Sequence, residues 1–352
     1  MIDTPDKLTA LLPRLLAAPW LALDTEADSL HAYPEKLCLL QFSLPGTDEL
    51  VDPLAGLDLA PLWAALNGRD LLLHGADYDL RLLQEHHAFR PHAVFDTMIA
   101  ARLLGCPKFG LSDLVKEFLG VTLEKGPQKA NWGLRPLSPR MATYAQNDTH
   151  YLHSIAELLA ARLAEQGRLE WCRETCARLI EDCAIPAMAD PDREWRVKGS
   201  FKLSRPELAV VRELWHWRES EARRANKPPF FILSHDTLQA VAAGAVNRAD
   251  LPALLPRHLS PRRNAGIMEA VRRGLAVPPA DHPQFLRGVA YHPTRTEQQR
   301  FDKLKQHRDQ RAVELGIDPT LIAPRLTLEL LSRDGSTAVG DLMKWQRELM
   351  SL

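Results

Sequence analysis

No apolar run in this 352-residue chain approaches the ~20 residues that a membrane-spanning helix requires, so no membrane partner is expected. The opening residues, Met1-Ile-Asp-Thr-Pro-Asp-Lys7, lack the basic-then-apolar order of a secretory signal. Cysteine is sparse: five residues, an odd number at uneven spacing, which suits a reducing compartment better than a disulfide framework. A cytoplasmic location is the expectation. No glycine is followed by lysine, so the Gly-Lys-Ser/Thr loop that cradles nucleotide phosphates is missing and a helicase is excluded on chemistry. An excess of either charge is missing too, with 44 Lys and Arg against 45 Asp and Glu.

That near-neutral total is unevenly spread. Between Arg193 and Leu275 there are 16 Lys and Arg against 8 Asp and Glu, a net +8, which leaves −9 for the rest of a chain whose total is −1. A basic module joined to an acidic one fits a polyanion-docking surface tethered to a carboxylate metal site; the alternative is a well-solvated helical face. The length predicts two or three domains, and 45% hydrophobic with 25% charged residues is a globular composition.

The acidic part is organised around one short strand. Trp20 to Leu23 is apolar and delivers Asp24 and Glu26 at i and i+2, on one face of the strand. Two carboxylates held that close repel unless one is protonated or a cation lies between them. A strand ending in Asp-x-Glu is therefore either a hard-metal site or the start of a solvated loop. Around it, helices are expected at Thr4 to Ala18, Leu59 to Leu66, Met98 to Leu104 and Leu111 to Leu119. Strands are expected at Lys36 to Ser43, Glu49 to Asp52, Asp70 to His74 and Val94-Phe95. Strands alternating with helices predict an α/β domain. Asp77 reads as a helix N-terminal residue, Asp96 as a helix N-cap and His74 as a packed, hydrogen-bonded histidine.

From Ser138 to Gln166 the pattern predicts one long helix, capped by Ser138, and another follows from Trp171 to Met188. In the first, Tyr144 and Asp148 stand four apart and share a face. Cys172, Cys176 and Cys183 lie on one helical face and read as buried thiols without a fourth metal ligand.

Five strings now occur in order: DTE (24–26), HGADYD (74–79), FDT (95–97), NWGLRPLSP (131–139) and YAQNDTHYL (144–152). Together they resemble the exonuclease motifs of the ribonuclease D family and its exosome-associated relatives, 3′–5′ exonucleases of the DEDD superfamily. The Tyr-x-x-x-Asp spacing is similar to the tyrosine (DEDDy) branch. The resemblance covers about residues 1–170 and implies an RNase H-like α/β fold with a mixed sheet and flanking helices. It also implies two divalent ions, Mg²⁺ or Mn²⁺, held by Asp24, Glu26, Asp79 and Asp148, with Tyr144 orienting the attacking water. Lys125 and Trp132 are implied as substrate contacts. Asn131 stands where relatives often have Asp.

Further along, LWHWRESEARRANKPPFFIL resembles the all-α HRDC module shared by RecQ-type helicases and ribonuclease D. The expected organisation is an exonuclease domain over 1–170, a helical linker over 171–203 and an HRDC-like domain over 204–278. A second, diverged HRDC-like helical domain is expected over 295–352. The function implied is 3′–5′ trimming of structured RNAs such as tRNA precursors, releasing nucleoside 5′-monophosphates. A DNA 3′–5′ exonuclease of repair and a nucleic-acid-binding protein with a weak or inactive nuclease domain are the alternatives.

Overall fold

The computed structural model describes residues 1–186, 190–286, 291–333 and 335–352, the side chains of 335–337 excepted. The described chain divides into two units, one of Met1–Ala27, Leu37–Pro186 and Tyr291–Leu352, the other of Asp28–Lys36 and Ala187–Ala290. No described helix is long and apolar enough to cross a membrane.

The first unit opens with helix α1 (Pro5–Ala17), started by the Thr4 side chain, which accepts from the Lys7 N–H. Strands β1 (Ala22–Ala27), β2 (Leu37–Leu44) and β3 (Thr47–Val51) follow. After α2 (Ala60–Leu66), strand β4 (Asp70–Leu73) leads into α3 (Asp77–His87), and β5 (Ala93–Asp96) leads into α4 (Thr97–Leu103). The sheet order is β3-β2-β1-β4-β5. β1 pairs antiparallel with β2 and parallel with β4, so the sheet is mixed. In the β1–β2 ladder Asp24 faces Gln41 and Glu26 faces Leu39, with a bulge immediately after Glu26. β1 is thus the central strand, its apolar start buried and its acidic end at the bulge, where the pairing with β2 shifts register.

Helices α5 (Leu111–Leu119), α6 (Pro139–His150), α7 (Leu152–Glu165) and α8 (Leu169–Ala184) complete the N-terminal part. The single helix expected from Ser138 to Gln166 is two helices, broken at Tyr151. The Thr149 hydroxyl bonds back to the Gln146 carbonyl and is also 2.8 Å from the Ser43 hydroxyl. Such back-bonding bends a helix, and here it ties the end of α6 to β2. The cap expected at Ser138 is present, its side chain accepting from the Met141 N–H, an interaction worth about 1 kcal/mol. α8 ends at Ala184, short of the expected Met188, which lies outside the described residues.

In the second unit, α9 (Arg205–Ala225), α10 (Pro229–Ile232), α11 (His235–Val246), α12 (Leu251–Leu254) and α13 (Pro261–Leu275) surround a core of Leu208, Val211, Leu214, Leu238, Val241 and Ile267. α12 ends at Leu254, two residues before Pro256, whose missing N–H could not continue it. Part of this unit's positive charge is internally paired: Glu221, almost fully buried, receives Arg224, Arg262 and Arg263.

The remaining helices, α14 (Arg295–Leu315), α15 (Pro319–Ile322), α16 (Arg325–Arg333), α17 (Gly335–Gly340) and α18 (Lys344–Met350), belong to the first unit. They share a core with α4, α5, α7 and α8, in which Ala312, Ile322, Leu328 and Trp345 meet Leu103, Leu114 and Leu159. Trp171 and Trp345 stack at 5.0 Å. The buried Arg168 donates to the carbonyls of Leu103 and Leu315 at 2.8 Å each, satisfying the ends of α4 and α14 together. Gly105 makes the contact feasible: it has φ +78°, and a Cβ there would lie 2.0 Å from the Gly316 carbonyl oxygen.

Candidate active site

A cavity of about 900 Å³ opens beside the acidic end of β1. Asp24, Glu26, Asp79, Tyr144, Asp148 and Lys125 all line it. Carboxylate oxygens of Asp24, Glu26 and Asp148 lie within 4.8 Å of one another, a group that could hold a metal ion. Residues 124 positions apart in sequence therefore meet because α6 crosses the face of β1 that carries Asp24 and Glu26.

Asp79 stands beside this trio, held by its own network. It is nearly buried and accepts a 2.5 Å hydrogen bond from the Thr25 hydroxyl. Its helix, α3, begins without a side-chain cap of its own. The buried Asp96 carboxylate, at the end of β5, braces the turn before α3 by accepting from the N–H groups of Gly75 (2.9 Å) and Ala76 (2.8 Å). The same carboxylate accepts from Met98 N–H at 2.8 Å and so caps α4, the role expected of it. Asp96 thus aligns two strand-to-helix turns, one of which delivers Asp79. His74 borders the cavity, with Nδ1 2.8 Å from the Thr97 hydroxyl; burial holds its pKa below the ordinary value.

The electrostatics reflect crowding of carboxylates out of water. Burial raises Asp24 well above the usual carboxylate range, and the charges of Asp79, Asp148 and Glu26 add to the rise. Glu26 is pushed up to about 9, by burial first and then by Asp148 and Asp79. Burial lifts Asp148 to about 7, offset in part by the Tyr144 hydroxyl beside it. Asp79 rises to about 6, burial outweighing the Thr25 hydrogen bond. The crowding opposes full ionisation of the cluster, and a bound cation would offset that opposition. The donor set, oxygen alone from several carboxylates, suits a hard divalent ion, and such a metal is the cofactor that this exonuclease site takes.

Tyr144 is held by the loop that follows Lys125. Gly126 packs against its ring so closely that a Cβ would come 1.4 Å from Cδ2. The Gln128 side chain hydrogen-bonds the phenol, although burial still carries the Tyr144 pKa above its ordinary value. Gln128, Asn147 and Lys116 line the cavity as well. Sequence spacing could not find them, since they lie in loops and on helix faces with no recurring chemistry.

Trp132 requires a correction. Expected as a substrate contact, it is 1% exposed and packs with Cys38, Leu39, Leu50 and Ala145. Its ring lies 6.1 Å from that of Tyr144, so it supports that residue from within. The cause is Arg135, which makes a bidentate pair with the buried Asp52 at 2.6 Å and donates to the Trp132 carbonyl at 2.7 Å, folding the 131–136 segment inward. Asn131 accepts from the Gly133 N–H at 3.1 Å and serves the same turn. Cys172, Cys176 and Cys183 are free, buried thiols.

Comparison with known proteins agrees with this geometry. Residues 1–164 match the family model described as 3′-5′ exonuclease, and residues 207–249 match the HRDC domain. Ribonuclease D of Gluconacetobacter diazotrophicus is 33% identical over 82% of this chain and 75% of its own length. Ribonuclease D of Pseudomonas paraeruginosa is 31% identical over 94% of this chain and 90% of its own. Among solved structures, Escherichia coli RNase D, described as an exoribonuclease involved in structured RNA processing, superposes with a TM-score of 0.75 at 26% identity. That match covers all of this chain and 96% of the other. The mixed sheet with its flanking helices is accordingly an RNase H-like exonuclease domain, accompanied by a helical HRDC domain. On the combined weight of a carboxylate cavity, a matching exonuclease model and relatives aligned over most of their length, this chain belongs to the ribonuclease D family and is a 3′–5′ exoribonuclease.

Proposed function

We propose that the enzyme trims the 3′ ends of structured RNAs, tRNA precursors among them, and releases nucleoside 5′-monophosphates with two divalent ions at the site. The observation that carries this reading is the convergence of Asp24, Glu26 and Asp148 within 4.8 Å, with Asp79 and Tyr144 on the same cavity wall. Asp24, Glu26 and Asp148 would hold the ion on the nucleophile's side, and Asp24 and Asp79 would serve the second. Bound there, Mg²⁺ or Mn²⁺ supplies Lewis-acid activation of water and neutralises charge on the leaving 3′-oxygen.

The chain's own residues do the positioning. The Tyr144 hydroxyl, steadied by Gln128 and backed by Trp132, orients the attacking water toward the scissile phosphate. Lys125, on the cavity wall, offers an ammonium to the terminal phosphate. A cavity of about 900 Å³ would take an unpaired 3′ end, while the basic second unit would engage backbone phosphates of the folded remainder. A reducing, cytoplasmic setting suits five cysteines that form no disulfide among the described residues.

The test is turnover of matched 5′-labelled RNA and DNA oligonucleotides, and of a 3′-extended tRNA precursor, with Mg²⁺, Mn²⁺ or EDTA. Stepwise shortening of RNA that stops in EDTA and in Asp24→Asn is expected. Equal rates on DNA, or cleavage that persists in EDTA, would sink the proposal.

A further inference from the structure

Gln41 stands on β2 directly across the antiparallel ladder from Asp24. Cross-strand partners project from the same face of a sheet, so its side chain shares the face that α6 covers. Its neighbours along the strand define what lies above it. Leu39, two residues before, packs with Ala145, and Ser43, two residues after, meets Thr149 at 2.8 Å. Ala145 and Thr149 are one turn apart on α6, so Gln41 lies beneath the turn that carries Asp148. It is 0% exposed, yet neither its Oε1 nor its Nε2 has a hydrogen-bond partner among the described residues. A buried amide left in that condition is costly, and a methionine of similar length would avoid the cost. Ser43 and Thr149 beside it are paired, so the layer as a whole is not short of partners.

We propose that Gln41 is a positioning residue of the carboxylate site: in the metal-loaded enzyme its Nε2 donates to the Asp24 carboxylate and fixes the oxygen that faces the ion. Directly opposed residues have Cβ atoms only ~5 Å apart, within reach of one amide. A donor behind a metal-binding carboxylate sets the orientation of the ligand without touching substrate. This inference rests on the metal-dependent reading above.

The experiment compares full-length wild type with Gln41→Met by thermal unfolding, first in EDTA and then across an Mn²⁺ titration, alongside kcat on a single-stranded RNA. In EDTA the variant should melt at or above the wild-type temperature, since two unpaired buried polar atoms have gone. Its Mn²⁺ midpoint should weaken by about 10-fold or more, and kcat should fall with it. A wild-type midpoint and kcat overturn the proposal. A lower melting temperature in EDTA, shared by the less bulky Gln41→Leu, overturns it equally, because the amide would then be paired without metal. If only Gln41→Met is destabilised, the fault is overpacking, and Gln41→Leu carries the titration. Absence of any Mn²⁺ response in wild type is a different outcome, which removes the metal reading itself.

Discussion

The Thr25 hydroxyl donates to the Asp79 carboxylate at 2.5 Å, joining the residue between Asp24 and Glu26 to a helix 54 positions away. Thr25 is thus more than a spacer between two ligands. Thr25→Val keeps the β-branched shape of the strand and removes the donor, leaving Asp79 buried with one partner fewer. We expect a fall in kcat of about 10-fold or more with a raised Mg²⁺ requirement, and rescue by Thr25→Ser. Wild-type Mg²⁺ dependence in Thr25→Val would show that the bond is incidental.

Tyr144→Phe retains the ring between Gly126 and Trp132 but deletes the hydroxyl. Rate should fall roughly 10²-fold, the usual range for a positioned acid–base group, while RNA affinity stays near wild type. Single-turnover kinetics separate the two quantities. An unchanged chemical step would reduce Tyr144 to a packing residue.

Gly126→Ala places a methyl group where the Tyr144 ring now lies. The ring or the loop must move, and Gln128 moves with the loop. The expected signature is a lower kcat with an intact fold, since the residue lies on the cavity wall rather than in a core. Tyr144→Phe in the Gly126→Ala background should add little, because both changes disturb one group. Full additivity of the two effects would count against a shared cause.

Raised carboxylate pKa values make a statement about pH. Ordinary values near 4 apply to the unfolded chain, whereas the folded metal-free protein holds protons on Asp79 to about 6, Asp148 to about 7 and Glu26 to about 9. The native state then binds more protons than the unfolded one, so stability falls as pH rises from about 4 to about 9. Thermal unfolding in EDTA should show that decline, and saturating Mn²⁺ should flatten it, its stabilisation growing with pH. Asp148→Asn should remove part of the slope. A metal-free protein equally stable at pH 5.5 and 8.5 would contradict the assignment.

Strand and helix periods show only facing: period two sets Asp24 and Glu26 on one side of an apolar strand, and a separation of four sets Tyr144 and Asp148 on one side of a helix. The resemblance to the ribonuclease D family joined these four, with Asp79, into one site. Trp132 was misplaced because nothing local reveals that Arg135 reaches Asp52, 83 residues away, and folds the segment inward. The break at Tyr151 depends on Ser43, on another element altogether. Gly126, Gln128 and Gln41 have ordinary sequence neighbourhoods, and only the assembled fold sets them against Tyr144 and Asp24. For 295–352 the sequence leaves open a second HRDC-like domain and a plain helical packing unit, because an amphipathic helix shows that it has a partner face, not which element covers it.

The shared core of α4, α5, α7 and α8 with Ala312, Ile322 and Trp345 has a bearing on how the enzyme is made. Synthesis proceeds from the N-terminus, so Asp24, Glu26 and Asp79 leave the ribosome long before the residues that close this core. Asp148 comes later, on a helix whose successors α7 and α8 remain partly uncovered until residues 312–350 exist. A nascent chain therefore carries its acidic residues through a period when they are not yet locked together. In a chain made in that order, the apolar faces of α7 and α8 wait for residues 312–350 to cover them.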